Sequence, residues 1–168
     1  LKHCRVSLPA AILDAACGHG RHADLFSKKG YEVLGIDTSK CLVSYLRDKY
    51  GPTVKFEKRS FGEIEYTAIF DLAIVIGNSL GLIPRGKMPG ALQNLSNVLK
   101  NGGTLFVELD NREYFIKNEA GKKYWSYHGA RWLTLSQHHY DSTEKLEKTL
   151  DIGIDLQNMT IDCCPLTK

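Results

Sequence analysis

The chain has 168 residues, of which 43% are hydrophobic and 24% are charged, a composition typical of one globular domain with a buried core. Its formal net charge is only +3, and no stripe of lysine or arginine with interleaved aromatic residues occurs, which argues against a nucleic-acid partner. No signal peptide or apolar run of membrane length is visible, so we expect a cytoplasmic protein without a membrane partner.

The five cysteines do not follow a disulfide or metal-binding pattern. Their number is odd, their spacing is scattered and no C-x-x-C occurs. We therefore expect free thiols and no metal site. The residues are Cys4, Cys17, Cys41, Cys163 and Cys164.

The first part of the chain alternates between apolar runs that predict buried strands and amphipathic stretches that predict helices. Strands are predicted at residues 10–13, 31–36, 54–56, 70–76 and 104–109. Helices are predicted at residues 21–29, 38–50 and 87–99, with a turn at 101–103 before the last strand. This alternation predicts an α/β fold of the Rossmann-like, doubly wound type, with a mostly parallel sheet and helices on both faces.

After residue 110 the pattern changes. Residues 112–117 predict a short helix, 131–140 and 145–155 predict two longer strands joined by a turn, and 158–164 predict a further strand. We therefore divide the chain into a core, residues 1–110, and an antiparallel attachment of the same domain on the substrate side, residues 111–168.

The loop after the first predicted strand, residues 14–20, is the first candidate site. Parallel α/β sheets bind ligands at the carboxyl ends of their strands. Gly18 and Gly20 allow the backbone to approach a ligand without Cβ atoms in the way. Asp37 ends the second predicted strand, where a carboxylate can accept both hydrogens of a ribose diol. The pattern therefore indicates a nucleoside cofactor.

Two cofactor classes fit this loop. Gly18-x-Gly20-x-x-Ala23 also matches the dinucleotide fingerprint G-x-G-x-x-G/A, which leaves an NAD-dependent oxidoreductase open. Asp14 favours a methyl donor, because a carboxylate repels a pyrophosphate but attracts the ammonium and sulfonium of S-adenosylmethionine. A third interpretation is a plain glycine turn in which Asp14 only caps a helix.

The loop and three further segments resemble the motifs of class I S-adenosylmethionine-dependent methyltransferases. Residues 12–20 (ILDAACGHG) resemble the first motif, 35–39 (GIDTS) the second and 70–79 (FDLAIVIGNS) the fourth. Residues 99–103 (LKNGG) resemble the turn before the family's fifth strand. Residues 110–114 (DNREY), the pair at 124–125 and the strands after 131 are similar to a small-molecule branch that includes glycine and aminosugar N-methyltransferases.

The resemblance implies a methyltransferase that acts on a small molecule, most often at an amine nitrogen. It implies S-adenosylmethionine as cofactor, S-adenosylhomocysteine as product, no metal, and a monomer or homodimer. Cofactor-binding residues carried over by position are Asp14, Ala16, Cys17, Gly18, Gly20, Asp37, Thr38, Ser60, Phe61, Ile76 and Gly77.

The substrate side of the predicted site follows the fourth and fifth strands. Asn78 takes the place that faces the methyl group in the family, and its context N-S-L-G differs from the N-P-P-[YF] of enzymes that methylate nucleic-acid bases. Arg112 could clamp a substrate carboxylate, and Tyr114 could line the pocket. We therefore assign Asn78, Arg112 and Tyr114 as the candidate catalytic residues.

The sequence departs from the family pattern in four places, one of which is Asn101 in place of the turn proline. Ala16 replaces the usual first glycine, although alanine is still small. Ser60 stands where the family has an aspartate that binds the adenine amino group. The family's last two strands would follow residue 168. Ser60 and these strands leave open a second interpretation, a binding module of the same fold without catalysis.

Overall fold

The computed structural model describes the backbone of residues 6–167 and the side chains of residues 6–162. The chain divides into two compact units, Leu1–Leu109 and Asp110–Lys168, each described below by itself. Within the described side chains, Cys17 is a buried free thiol and Cys41 an exposed one. The predictions for Cys4, Cys163 and Cys164 lie outside the described side chains.

The first unit is built on a five-stranded parallel sheet with the strand order β3-β2-β1-β4-β5. The strands are β1 (Ala11–Ala15), β2 (Glu32–Asp37), β3 (Lys55–Lys58), β4 (Phe70–Val75) and β5 (Leu99–Val107). The predicted Rossmann-like α/β class is confirmed. Because strand order reverses direction at β1 and β4, a crevice opens at their carboxyl ends.

Helices cover both faces of this sheet, as predicted. They are α1 (Arg21–Lys28), α2 (Lys40–Tyr50) and α3 (Met88–Asn97). Successive strand residues point to opposite faces, so Ile12 packs with α1 and α2, whereas Leu13 packs with α3. The two clusters share fully buried strands, which explains why β1 and β4 are apolar almost throughout.

The connection from β3 to β4 interrupts the alternation of strands and helices that the sequence predicts for this unit. Between these strands the described chain forms one 3₁₀ turn, Phe61–Glu63, and no α-helix. The turn ends because Ile64 adopts an extended conformation and buries its side chain in the core. Residues 59–69 are also few for a helical crossover, which needs about a dozen residues with its loops.

The predicted turn at residues 101–103 is wrong, because these residues lie inside β5. The register shifts between the pairs Phe70–Leu99 and Leu72–Thr104, and Gly102 has a left-handed φ of 78°. Glycine in that conformation is typical of a β-bulge. The two glycines therefore accommodate extra residues within the strand instead of reversing the chain.

The second unit contains α4 (Arg112–Asn118) and an antiparallel sheet in the order β6-β7-β8-β9. Its strands are β6 (Lys123–His128), β7 (Trp132–Asp141), β8 (Leu146–Asp155) and β9 (Thr160–Thr167). The predicted antiparallel sheet is present, but β6 was not predicted. Its three aromatic residues, Tyr124, Trp125 and Tyr127, were the available signal.

Asp155 anchors the turn between β8 and β9. Its carboxylate is 2% exposed and accepts hydrogen bonds from Arg131 Nη2 at 2.6 Å and from the backbone N–H groups of Gln157 and Asn158. The Arg131 guanidinium and these N–H groups hold the pKa of Asp155 well below its usual range.

Within residues 6–167 no helix is long and apolar enough to cross a membrane.

Gly35 offers a test of how tightly the first unit is packed. A Cβ at Gly35 would lie 2.6 Å from Phe56 Cδ1 and 3.2 Å from Cys17 Sγ. We expect Gly35→Ala to lower the free energy of unfolding by about 1–3 kcal/mol, because a packed ring must move. Denaturant unfolding measures this change.

Gly90→Ala is the matched control, because no atom lies within 4 Å of a Cβ built there and the residue is in α3. We expect this variant to gain up to about 1 kcal/mol from helix propensity. Equal effects of the two substitutions would contradict the packing described around Gly35.

Candidate functional site

The loop between β1 and α1 is held in an unusual backbone conformation. Ala16, Gly18 and Gly20 have left-handed φ angles of 63°, 51° and 71°. The N–H of Cys17 donates to the Ile36 carbonyl at 2.9 Å, which ties the loop to β2. Three left-handed residues at alternate positions turn the chain tightly from the strand into the helix, at the carboxyl edge of the sheet.

The two glycines of this loop have different surroundings. A Cβ at Gly20 would lie 2.7 Å from Leu46 Cδ2, so Gly20 serves the packing of α2. A Cβ at Gly18 would meet no atom within 4 Å. Gly18 therefore presents its backbone to open space, as a close approach to a ligand requires.

The Asp37 carboxylate is fixed by two backbone hydrogen bonds. Its Oδ2 accepts from the N–H of Gly18 and its Oδ1 from the N–H of Ser39, both at 2.9 Å. A carboxylate oxygen has two lone-pair sites. Each Asp37 oxygen therefore keeps one acceptor site in a fixed orientation, which suits a pair of adjacent hydroxyl groups.

The Asp14 carboxyl lies below the loop at the end of β1 and is 2% exposed. Burial raises the pKa of Asp14 to about 7; the negative charge of Asp37 also raises it, whereas a hydrogen bond from the Ala23 backbone in the first turn of α1 lowers it. Contact with the Ala23 backbone supports the helix-capping interpretation for one side of the carboxyl. Asp14 Oδ2, however, has no hydrogen-bond partner among the described residues.

A buried oxygen without a partner is costly, and native proteins rarely keep one without a functional reason. The Asp14 and Asp37 carboxyl groups are close enough for the negative charge of Asp37 to raise the pKa of Asp14. Both carboxylates attract a cationic ligand that carries hydrogen-bond donors, and both disfavour an anionic one. The local electrostatics therefore favour the methyl donor over a dinucleotide.

A cavity of about 880 Å³ opens beside this loop. Six of the predicted cofactor residues line it, namely Ala16, Gly18, Asp37, Thr38, Ser60 and Phe61. The other predicted cofactor residues are not part of its lining. Of these, Asp14 is buried, Cys17 and Gly20 pack in the core, and Ile76 packs against the cluster that holds α1 and α2. Gly77 has a left-handed φ of 75° beyond β4.

The opposite wall of the cavity was not predicted from sequence. It is formed by the 3₁₀ turn Ser79–Leu82 and the start of α3, including Ile83, Gly90 and Asn94. Asn94 Nδ2 donates to the Phe61 carbonyl at 2.9 Å, which links this wall to the turn that carries Ser60. Gly86, Gly90 and Ala91 near the start of α3 were the available signal, since small residues leave room for a ligand.

The three candidate catalytic residues have different positions. Asn78 is 8% exposed, has a left-handed φ of 59°, and packs its side chain against Gly81 in a tight turn after β4. Arg112 and Tyr114 are exposed residues of α4 in the second unit. The catalytic roles of all three stay predictions.

Cys17 also lies in this loop and is a buried free thiol. Burial, together with the negative charge of Asp14, raises the pKa of the Cys17 thiol to about 12, so the thiol is neutral and packs as an apolar group. In the part of the chain that the structure describes, no group of three or more His, Cys, Asp or Glu side chains could hold a metal ion.

Ala16 carries a conformational cost that its small size does not reveal. An L-residue in the left-handed region costs about 1–2 kcal/mol, whereas glycine adopts it freely but loses more backbone entropy on folding. We expect Ala16→Gly to raise the free energy of unfolding by about 0.5–1 kcal/mol in denaturant titrations. Ala15→Gly, one residue earlier in β1, should lower it by about 1 kcal/mol; a stability loss in both variants would refute the strain at Ala16.

Asp14 should make the stability of the free protein depend on pH. Its folded pKa of about 7 lies above the unfolded value of about 3.9, so the folded state binds the proton more tightly. The associated stability is fully present below pH 4 and is lost as the pH rises through 7, by roughly 4 kcal/mol in total.

We expect Asp14→Asn to be more stable than the parent protein by up to roughly 4 kcal/mol at pH 8, with the difference shrinking steadily toward pH 5. Thermal or denaturant unfolding across this pH range measures it. Asp24→Asn, which removes a carboxylate paired with Lys28 on the surface of α1, is the control and should show no such trend. A constant difference between Asp14→Asn and the parent protein at all pH values would contradict the raised pKa.

Comparison with known proteins identifies a family for this geometry. Residues 12–103 match the family described as a methyltransferase domain. Glycine N-methyltransferase of Rattus norvegicus is 25% identical over 122 residues, which cover 62% of this chain and 42% of the relative. The chain thus spans less than half the length of the curated relatives it matches.

Solved structures share the fold. An S-adenosylmethionine-dependent methyltransferase from Clostridium acetobutylicum superposes with a TM-score of 0.77 at 15% identity, covering 94% of this chain and 64% of that one. An S-adenosylmethionine-bound amino pentose methyltransferase from Micromonospora echinaspora gives a TM-score of 0.73 at 17% identity, covering 96% and 68%. At these identities the likeness concerns the fold.

Proposed function

Because the chain belongs to the S-adenosylmethionine-dependent methyltransferases, we propose that the cavity beside the Gly18 loop binds S-adenosylmethionine and that the protein methylates a small molecule, at an amine nitrogen. The observation that carries this proposal is the arrangement of Asp37. Both of its oxygens are oriented by backbone N–H groups beside an open glycine, and both keep an acceptor site for a ribose.

The residues present fit each part of this cofactor. Asp37 would accept from the ribose hydroxyls, Ser60 and Phe61 would contact the adenine, and the Gly18 backbone would allow close approach. Asp14 would supply the negative charge that a sulfonium and an ammonium favour. A donor from the cofactor or from an ordered water would also satisfy Asp14 Oδ2, which has no partner among the described residues.

When bound, S-adenosylmethionine supplies a methyl group on a positively charged sulfur. The lone pair of a neutral amine forms the new C–N bond while the C–S bond breaks and its electrons stay on sulfur. The task of this chain's residues is to align the amine with the methyl group and to exclude water. Asn78, just after β4, is the candidate to position the acceptor, and an amine that arrives neutral needs no strong base.

The methyl acceptor is proposed from the names of similar proteins and from the residues around Asn78. Two of the proteins to which this chain is similar are named as acting on glycine and on an amino pentose, which are both small amines. The N-S-L-G context at Asn78 lacks the prolines typical of base-methylating enzymes. We propose that the second unit covers the substrate, that Arg112 binds a substrate carboxylate and that Tyr114 lines the pocket.

Calorimetry with S-adenosylmethionine and with NAD tests the cofactor. We expect binding of the methyl donor and none of NAD, and we expect Asp37→Asn to weaken binding by about tenfold or more, because an amide NH₂ cannot accept a ribose hydrogen. Asp48→Asn, on the exposed side of α2, is the control with the same charge change. Preference for NAD, or equal affinity of both variants, would contradict the proposal.

Release of S-adenosylhomocysteine in the presence of a panel of amines and amino acids tests the reaction. Turnover with an amine, reduced in Arg112→Lys when the amine carries a carboxylate, supports methyl transfer to nitrogen. Tight cofactor binding without turnover on any acceptor would favour the non-catalytic binding module instead.

A further inference from the structure

Ser60 makes two hydrogen bonds to a single carboxylate oxygen. Glu63 Oε2 accepts from the Ser60 N–H at 2.7 Å and from the Ser60 hydroxyl at 2.8 Å. Ser60 lines the cavity, whereas Glu63 lies outside it, on the exposed side of the 3₁₀ turn. The carboxylate that accepts from Ser60 is therefore not part of the cavity lining.

This arrangement fixes what the serine offers to a ligand. A hydroxyl group has one proton and two lone pairs. Since the proton is donated to Glu63, only lone pairs remain for the cavity side. A bond to an ionised acceptor is short and strong, and it polarises the hydroxyl oxygen. Ser60 thereby presents an oxygen that accepts and does not donate.

The turn that carries the serine is held from both sides. Asn94 Nδ2 donates to the Phe61 carbonyl at 2.9 Å, and Arg59 Nη1 donates to the Glu63 carbonyl at 3.0 Å. Hydrogen bonds from the Ser60 backbone and hydroxyl lower the pKa of Glu63 below its usual range, so the carboxylate stays charged at neutral pH. Position and charge are both maintained without a ligand.

Resting on the proposed function, we propose that Glu63 is a positioning residue that commits the Ser60 hydroxyl to the role of acceptor and so selects a 6-amino purine over a 6-oxo purine. Adenine carries an amino group at this position, which donates to the serine oxygen. Hypoxanthine carries a carbonyl oxygen there, which would face another acceptor. The Ser60–Glu63 pair therefore does, with a relayed charge, what a directly placed carboxylate would do.

The test compares S-adenosylhomocysteine with S-inosylhomocysteine, which differ at the purine 6-position and at the adjacent ring nitrogen. Calorimetry on the whole protein gives the ratio of the two dissociation constants. We expect the adenosyl compound to bind about tenfold or more tightly than the inosyl compound. In Glu63→Ala we expect most of this preference to disappear, because the Ser60 hydroxyl then has no carboxylate to donate to and its proton can turn toward the cavity.

Two further variants separate selectivity from stability. Glu63→Gln keeps an amide oxygen that can accept from the Ser60 N–H and hydroxyl as the Glu63 oxygen does, so it should fold and keep most of the preference. Ser60→Ala removes the acceptor itself and should lose the preference. Glu65→Gln, two residues along and without contact to Ser60, is the control and should keep the ratio of the parent protein.

The outcomes are distinct. Equal binding of the two compounds to the parent protein overturns the inference while the proposed function stands. A Glu63→Ala variant that weakens both compounds by the same factor also overturns it, since a purely structural role predicts an unchanged ratio. If neither compound binds, the proposed function itself fails.

Discussion

Two backbone N–H groups hold the Asp37 carboxylate, and the candidate site depends on this arrangement. One N–H comes from Gly18 in the loop after β1 and the other from Ser39 before α2. The bonds therefore join the ends of two neighbouring strands through one side chain. Because β1 and β2 are parallel neighbours, the loop after β1 and the Asp37 carboxylate at the end of β2 lie at the same edge of the sheet. The two backbone hydrogen bonds therefore set the direction of the remaining lone pairs of Asp37.

The cost of this site lies in the residues below it. Asp14 occupies a core position of β1 that an apolar residue would fill more favourably, and Ala16 holds a conformation that glycine adopts more easily. Each feature lowers the stability of the free protein. A buried carboxyl group without a full set of hydrogen-bond partners and a strained loop are typical of sites where ligand binding, and not packing, determines the residues.

Much of the fold could be predicted from sequence because it is encoded by short-range patterns. The apolar runs that became β1, β2 and β4 and the glycines of the first loop are local signals. The connection at residues 59–69 and the bulge at Gly102 are different, since both depend on how a chain segment meets a strand that is distant in sequence. β6 was missed because its aromatic residues lie in a strand largely exposed to solvent, without a buried run.

The candidate site could be predicted where a single side chain carries a role, as at Asp37, and not where two residues act together. The S-x-x-E spacing at Ser60 and Glu63 indicated a capping box, in which Glu63 accepts from the Ser60 N–H. It did not indicate that the same Glu63 oxygen also accepts from the Ser60 hydroxyl. The α3 wall was missed for a similar reason. Gly90 and Asn94 line the cavity because α3 packs against the turn at Phe61, which lies about thirty residues earlier in the chain.

The hydrogen bond from Asn94 to the Phe61 carbonyl has a mechanical consequence. It links α3 to the turn that carries Ser60, and both line the cavity, so separating these two elements would break this bond. A ligand that binds between these elements meets them already joined, so little of the binding energy is spent on bringing them together. The first unit should accordingly behave as a rigid receptor for its nucleoside, with the heat-capacity change on binding set by the surface that the ligand covers.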